Sequence, residues 1–201
     1  NQCPILNHFS AASSCIDIRY YDRDDNPELG EVLQTCGAAR VPSVLFLSED
    51  NYVCGRYGDR TLARYREMAE TQGIEYYEAH KFHLKSSEDL AFFQQRQFDI
   101  LLVSGWQRLI PVNILSTIGC VTVGEHGSSE YLPRGRGHSP INWSIIQGRQ
   151  RFVVHLFAID EGVDSGDVIA QKAITISAHD TVATLYTKQS IASGQLFLEH
   201  L

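Results

Sequence analysis

The run Phe98-Asp-Ile-Leu-Leu-Val103 limits what this chain can fold into more than any other stretch, because it is apolar on both of the faces a strand presents. Such a strand belongs in the interior of a parallel sheet with helices on both sides. Its flanks alternate in type. Ile74 to Tyr77 reads as a short strand. Ser86-Ser-Glu-Asp opens a helix through Gln97, with Leu90, Phe93 and Gln97 inward and either serine able to cap it. Pro111 to Ser116 reads as a helical turn, and Val121 to Val123 as the next buried strand. Ser139-Pro-Ile-Asn-Trp-Ser-Ile-Ile-Gln-Gly148 has a serine cap, a proline at the first position and a glycine stop, so it reads as a short helix with Trp143 toward the core. Phe152 to Phe157 and Val168 to Ile176 are further strands. A last helix starts near Asp180 with Val182, Leu185, Ala192 and Leu196 on one face. Strand, helix, strand in this order predicts an α/β sheet with right-handed crossovers, whose ligands bind beyond the carboxyl ends of the strands.

Composition narrows the function classes. With 201 residues, 43% hydrophobic and 20% charged, the chain can bury a core and does not resemble a disordered segment. Its net charge of -7 is shared between both halves, whereas phosphate binding needs a concentrated basic face, so no nucleic-acid partner is expected. No apolar run reaches the roughly 18 residues of a membrane span, and no signal peptide opens the chain. The five cysteines, at 3, 15, 36, 54 and 120, are irregularly spaced and odd in number. They suit a reducing cytoplasm, and no metal-ligand spacing is present. The chain begins Asn1-Gln-Cys-Pro, has Met68 as its only methionine and stops at Leu201 inside a helical pattern. A fragment or spliced product, cut at both ends, is the expectation.

Before residue 73 the signals are those of a βαββα segment. Ile16 to Tyr21 alternates as a strand, Pro27 leads a helix from Glu28 to Thr35, and Gly37 supplies its stop. Val44 to Leu47 and Tyr52 to Tyr57 read as strands around the turn Glu49-Asp-Asn51, and Thr61 to Thr71 as a helix. Asp22-Arg-Asp-Asp-Asn-Pro-Glu-Leu29, Ala39-Arg-Val-Pro-Ser-Val44 and Gly55-Arg-Tyr-Gly-Asp-Arg-Thr-Leu62 resemble part of a thioredoxin-like domain. By that likeness Pro42 is the proline beside a redox site and Cys3 the second cysteine of a Cys-x-x-Cys pair. The first cysteine is absent, and dithiol work needs a paired, activated thiolate. The division expected is an incomplete thioredoxin-like segment over 1–72 and a second domain over 73–201. Alternatively, Val44 to Tyr77 is simply a βα unit of the domain that follows.

Acid/base chemistry concentrates between Gly119 and Gln171. A buried strand leads to His126 at its exit, followed by a Gly/Arg loop, a helix, a strand and the acidic glycine loop Asp160-Glu-Gly-Val-Asp164-Ser-Gly. A histidine and a carboxylate delivered by two apolar strands are a common basis for proton transfer. His126 is alternatively a polar residue satisfied at a strand end, and Asp164 an ordinary turn aspartate. His155, inside a strand, reads as a packed, hydrogen-bonded core histidine. His138, beside Arg134 and Arg136, reads as loop, or as a contact for an anionic substrate, and Asn142 could face the site.

Four pieces in order carry a resemblance: Gly105-Trp-Gln-Arg-Leu-Ile-Pro111, His126-Gly-Ser with Leu132-Pro and Arg136-Gly, Ser139-Pro-Ile-Asn-Trp143, and Asp160-Glu-Gly-Val-Asp-Ser-Gly-Asp-Val-Ile169. From about residue 73 to 201 the chain resembles the catalytic domain of the formyltransferases that use 10-formyltetrahydrofolate. The resemblance implies an α/β, Rossmann-like sheet of parallel strands with flanking helices, and a cytoplasmic enzyme. It implies formyl transfer from 10-formyltetrahydrofolate, as co-substrate, to a primary amine of a small molecule. The Asn-Trp pair of Ser-Pro-Ile-Asn-Trp is reminiscent of the branch acting on amino sugar nucleotides. In the implied chemistry His126 donates toward the developing oxyanion or manages the amine proton, and Asp164 orients it. An unperturbed pKa of roughly 6.5 suits a histidine to that work. The folate is implied to lie against the backbone of Arg108, Leu109 and Ile110 and the loop from Ala158 through Ile159 and Asp160 to Asp164, with Trp106 and Val163 as walls. Two departures stand out. Gly124 replaces the asparagine the family usually places two positions before the histidine, and the spacing from His126 to Leu132-Pro133 is two residues longer. The rivals are a catalytically idle fragment that binds folate without turnover, and a thiol-disulfide module working through Cys3.

Overall fold

The computed structural model describes residues 66–67, 69–81, 83–104, 106 and 108–200, with the backbone of the strands at 15–19 and 43–47. The strands are β1 (Cys15–Arg19), β2 (Ser43–Leu47), β3 (Glu75–Glu78), β4 (Ile100–Ser104), β5 (Val121–Ser128), β6 (Arg151–Ala158) and β7 (Val168–Thr175). The helices are α1 (Ser87–Arg96), α2 (Val112–Leu115), α3 (Pro140–Ile146) and α4 (Val182–His200).

Among the described residues one seven-stranded sheet runs in the order β3-β2-β1-β4-β5-β6-β7. The first five strands are parallel, while β6 is antiparallel to both β5 and β7. The sheet is therefore mixed, where parallel strands were expected. For β6 and β7 the connection gives the reason: residues 159–167 join them without a helix, and so short a link suits an antiparallel pair rather than a crossover.

Strand β1 lies between β2 and β4, so the sheet takes strands from both sides of position 72. The thioredoxin-like likeness of residues 1–72 finds no support here. β1 and β2 hydrogen-bond into the same sheet as β4, and β2 pairs in parallel with β3. That pairing is the one required if Val44 to Tyr77 is a βα unit of the larger sheet. The helix expected from Glu28, the strand at Tyr52 to Tyr57, Pro42 and Cys3 lie outside the described residues.

All five residues of β4 are buried, as its two-sided apolar run requires. Ile100 and Leu102 join Val123, Ile141, Phe152, Val154, Leu156, Leu185, Leu196 and Phe197 on the face covered by α3 and α4. Leu101 and Val103 join Phe92, Phe93, Phe98, Ile110 and Ile114 on the face covered by α1 and α2. Period-two alternation thus divides one strand between two cores.

Helix α1 starts as its sequence predicts. The Ser86 hydroxyl accepts from the Asp89 N–H at 3.0 Å and donates to the Asp89 carboxylate at 2.6 Å. Its inward face is Asp89, Phe92 and Phe93; Gln97, expected inside, is exposed and sits in left-handed conformation as the C-cap. At α3 the glycine stop holds, since Gly148 has φ +61°. The serine cap does not: Ser139 is itself left-handed and its side chain makes no cap bond. Trp143 is 56% exposed rather than packed in the core.

Candidate active site

Strand β5 reaches past the point where its neighbour β4 stops. Val103 is level with Gly124, so Ser104 ends β4 beside Glu125, while β5 continues to Ser128 on pairing with β6 alone. His126 is consequently inside a strand and not at its exit, directly across from His155. The extra pairing was not visible in the sequence because glycines 124 and 127 interrupt the apolar pattern.

His126 is buried, with a polar atom near each ring nitrogen. Its Nε2 lies 2.8 Å from the Gly135 carbonyl oxygen, and its Nδ1 lies 3.4 Å from Asp164 Oδ2. Both facing atoms are acceptors, and the ring's tautomer decides which nitrogen donates. Asp164 is placed by a left-handed backbone, φ +46°, and its Oδ2 also receives the Gly137 N–H at 3.1 Å. The loop Arg134-Gly-Arg-Gly-His thus touches both members of the pair through backbone atoms. Gly135 and Gly137 have φ of +73° and +98°, and a Cβ on Gly135 would overlap the Ser128 hydroxyl.

Beneath the pair, His155 is fully buried. Its Nδ1 donates to the His126 carbonyl at 3.1 Å, and its Nε2 accepts the Leu132 N–H at 3.4 Å. Burial pushes its pKa below the usual histidine value, with the His126 carbonyl opposing that shift. The expectation of a packed, hydrogen-bonded core histidine is met. The ring also carries the start of the longer loop, with Tyr131 edge-on above it and Arg151 stacked over Tyr131.

The residues assigned to a folate slot divide. Trp106, Ile110 and Ile159 share the apolar cluster of the α1 and α2 face, with Ile110 only 4% exposed. Leu109 and Val163 are 54% and 55% exposed, and Arg108 is also exposed. Ala158 is half-buried, its N–H donating to Asp167 O, while the Ile159 N–H donates to Thr122 O at 2.8 Å and ties the loop to the sheet. Asp160 acts within its own turn. It accepts from the Ser165 hydroxyl and the Gly162 N–H, and these bonds hold its carboxyl below the usual carboxylate range. His138 is exposed, and Asn142 is half-buried on α3.

Gly124 also has a structural reason. A Cβ there would lie 2.8 Å from Ile159 Cδ1 and 3.3 Å from Phe157 Cζ, so these apolar side chains fill the space a longer residue would need. Reading the sequence along the chain missed Gly135, Gly137, Glu125 and Ser104. The Gly-x-Gly spacing marked a turn, but no local signal said which groups the turn would meet.

Residues 29–201 match the Formyl transferase family. The methionyl-tRNA formyltransferase of Myxococcus xanthus is 34% identical over 149 residues, covering 73% of this chain and 46% of that protein. That of Lactobacillus johnsonii is 32% identical over 68% of this chain and 42% of its own length, so the chain spans about half the length of the curated relatives it matches. Among solved structures, glycinamide ribonucleotide transformylase 1 of Symbiobacterium toebii superposes with a TM-score of 0.74 at 18% identity, over 96% of this chain and 87% of that one. A sugar N-formyltransferase from a Shewanella species gives 0.65 at 15% identity, over 95% and 68%. Net charge alone therefore does not exclude an acceptor carried on nucleic acid, since relatives are named for a tRNA substrate. Among the described residues no helix is long and apolar enough to cross a membrane. With its matched span covering most of its length, the chain belongs to the formyl transferase family, whose enzymes use 10-formyltetrahydrofolate as formyl donor.

Proposed function

We propose that this chain transfers a formyl group from 10-formyltetrahydrofolate to a primary amine of a small molecule, with an amino sugar nucleotide as the first candidate and the cytoplasm as the setting. The observation that carries this reading is the His126–Asp164 pair, 3.4 Å apart beside the end of β4. The cluster of Trp106, Ile110 and Ile159 fits a flat heterocycle, which needs an apolar slot with polar atoms at its rim. When bound, the folate supplies the formyl carbon.

The protein's own groups then have separable tasks. His126 donates from Nε2 toward the formyl oxygen as that atom gains charge, exchanging the Gly135 carbonyl for it. Asp164 keeps the ring oriented and stabilises its positive charge. Gly137 fixes Asp164 in turn through its N–H. Val163 and Leu109, both exposed, form the outer edge of the slot.

Transfer of labelled formyl to a panel of amines tests the reading: an amino sugar nucleotide, glycinamide ribonucleotide and methionyl-tRNA. Turnover with one of them is expected, with kcat reduced by about a thousandfold in His126→Ala and about a hundredfold in Asp164→Asn. Folate-analogue binding should survive both changes. Ile159 packed where a donor side chain at 124 would stand favours a second reading, folate binding without turnover. Tight binding of the analogue with no transfer to any amine of the panel would select it.

A further inference from the structure

The buried imidazole of His155 has no part in the chemistry of formyl transfer, yet both its hydrogen bonds go to groups that belong to the site. Position 155 lies directly across the ladder from His126, and in an antiparallel pair such residues share a face. The other β6 residues on that face, Val153 and Phe157, are apolar and buried, so packing by itself asks for another of their kind. A histidine buried among them costs stability unless both nitrogens are satisfied. Here Nδ1 donates to the backbone carbonyl of His126 at 3.1 Å, and Nε2 accepts the Leu132 N–H at 3.4 Å. From Leu132 the chain turns, the Arg134 N–H donating to Tyr131 O at 2.9 Å, and the Gly135 carbonyl oxygen then lies 2.8 Å from His126 Nε2. These bonds form a closed circuit that leaves from the His126 backbone and returns to its ring.

The circuit has little slack. A Cβ on Gly135 would overlap the Ser128 hydroxyl, and two residues on the Gly137 N–H holds Asp164 at 3.1 Å. Tyr131 stands edge-on to His155 with Arg151 over it, and Arg149 pairs with Glu130 at 3.3 Å, so the start of β6 grips the same loop from outside. We propose that His155 is a positioning residue for formyl transfer: by tying the His126 carbonyl to Leu132, it sets where Gly135 and Gly137 meet the histidine–aspartate pair. The inference rests on the formyl-transfer reading and adds to it a residue that touches no substrate. Misplacement by about 1 Å from such a remote change can lower a rate about a hundredfold. His155→Leu keeps an apolar filling but ends both bonds, whereas His155→Gln puts an amide donor and acceptor within reach of the same two groups.

Formyl transfer and amide hydrogen exchange on the full chain test this together, at a temperature where circular dichroism shows every variant folded. With the amine of the panel that the unaltered chain turns over, kcat should fall about tenfold or more in His155→Leu while KM for 10-formyltetrahydrofolate stays within about twofold. His155→Gln should recover most of that loss. Exchange at the Gly137 amide should quicken about tenfold or more in His155→Leu and stay near the unaltered rate in His155→Gln, with the amides of α4 keeping their protection. A residue that only fills the core would move the thermal midpoint and leave kcat and Gly137 exchange level. Should His155→Leu not fold, His155→Asn, which keeps a donor for His126 O and drops the bond to Leu132, takes its place with the same readings. Unchanged kcat or unchanged Gly137 exchange in the folded variant overturns the inference, as does glutamine rescuing no better than leucine. Failure of the formyl-transfer reading looks different, since the unaltered chain then turns over no amine; Gly137 exchange still decides whether His155 places the loop.

Discussion

His155 shows how one side chain can set a pH limit without touching a substrate. Its neutral form is required in the fold, because Nδ1 donates to His126 O while Nε2 accepts from Leu132 N. In the unfolded chain the same ring takes up a proton near the ordinary histidine value of 6.5, while burial lowers the folded pKa. Below pH 6.5 the unfolded state binds more protons, so stability falls as the pH drops toward the lowered native value. Thermal unfolding between pH 7.5 and 5 should show that loss, and His155→Gln should flatten it. Gly124 makes a second residue-scale prediction. Gly124→Asn meets Ile159 at under 3 Å and should cost about 1–3 kcal/mol in denaturant unfolding, whereas adding Ile159→Ala should restore most of that. A double variant no more stable than the single one would show that Ile159 is not the obstacle.

Among the elements, α1 and the end of β3 depend on one buried carboxylate. Asp89 accepts from the Ser86 hydroxyl, the His80 and Lys81 N–H groups and the Tyr77 hydroxyl, which closes the turn from strand to helix. Asp89→Ala removes the acceptor of two backbone donors in a part-buried turn, together with the bonds from Ser86 and Tyr77, and should cost about 1–3 kcal/mol, read from urea midpoints at unchanged slope. Tyr77, stacked on Phe92, has its hydroxyl pushed up to about 12 by burial and by Asp89. That contribution is fully present below pH 10 and is lost as the pH rises from 10 toward 12, because only the unfolded chain ionises in that window. A Tyr77→Phe chain, followed by circular dichroism, should therefore lose less stability over that range. The core itself is less forgiving: Phe152 is fully buried between β6 and the helices, and Phe152→Ala should cost about 3–5 kcal/mol.

At the scale of the molecule, the local and the distant parted cleanly. Strand and helix identities from Ile74 onward were legible because each follows from a short-range period: the two-sided apolar run of β4, the Ser86 cap of α1 and the amphipathic face of α4. His126 and Asp164 were legible as residue types in a motif, and the structure sets them 3.4 Å apart. Position relative to other elements was not legible. The placing of β1 between β2 and β4, the extension of β5 to Ser128, the exposure of Trp143 and the left-handed Ser139 all depend on partners far away in the chain. The sequence alone determined which segments are strands or helices and which side chains could move protons, since backbone preference and side-chain chemistry are local properties. Only the tertiary structure decided that Gly135 and Gly137 clamp the histidine–aspartate pair, and that Glu125 keeps an unmet oxygen at the end of β4. Those contacts join residues across strand pairings and loop closures, whose geometry no local pattern encodes.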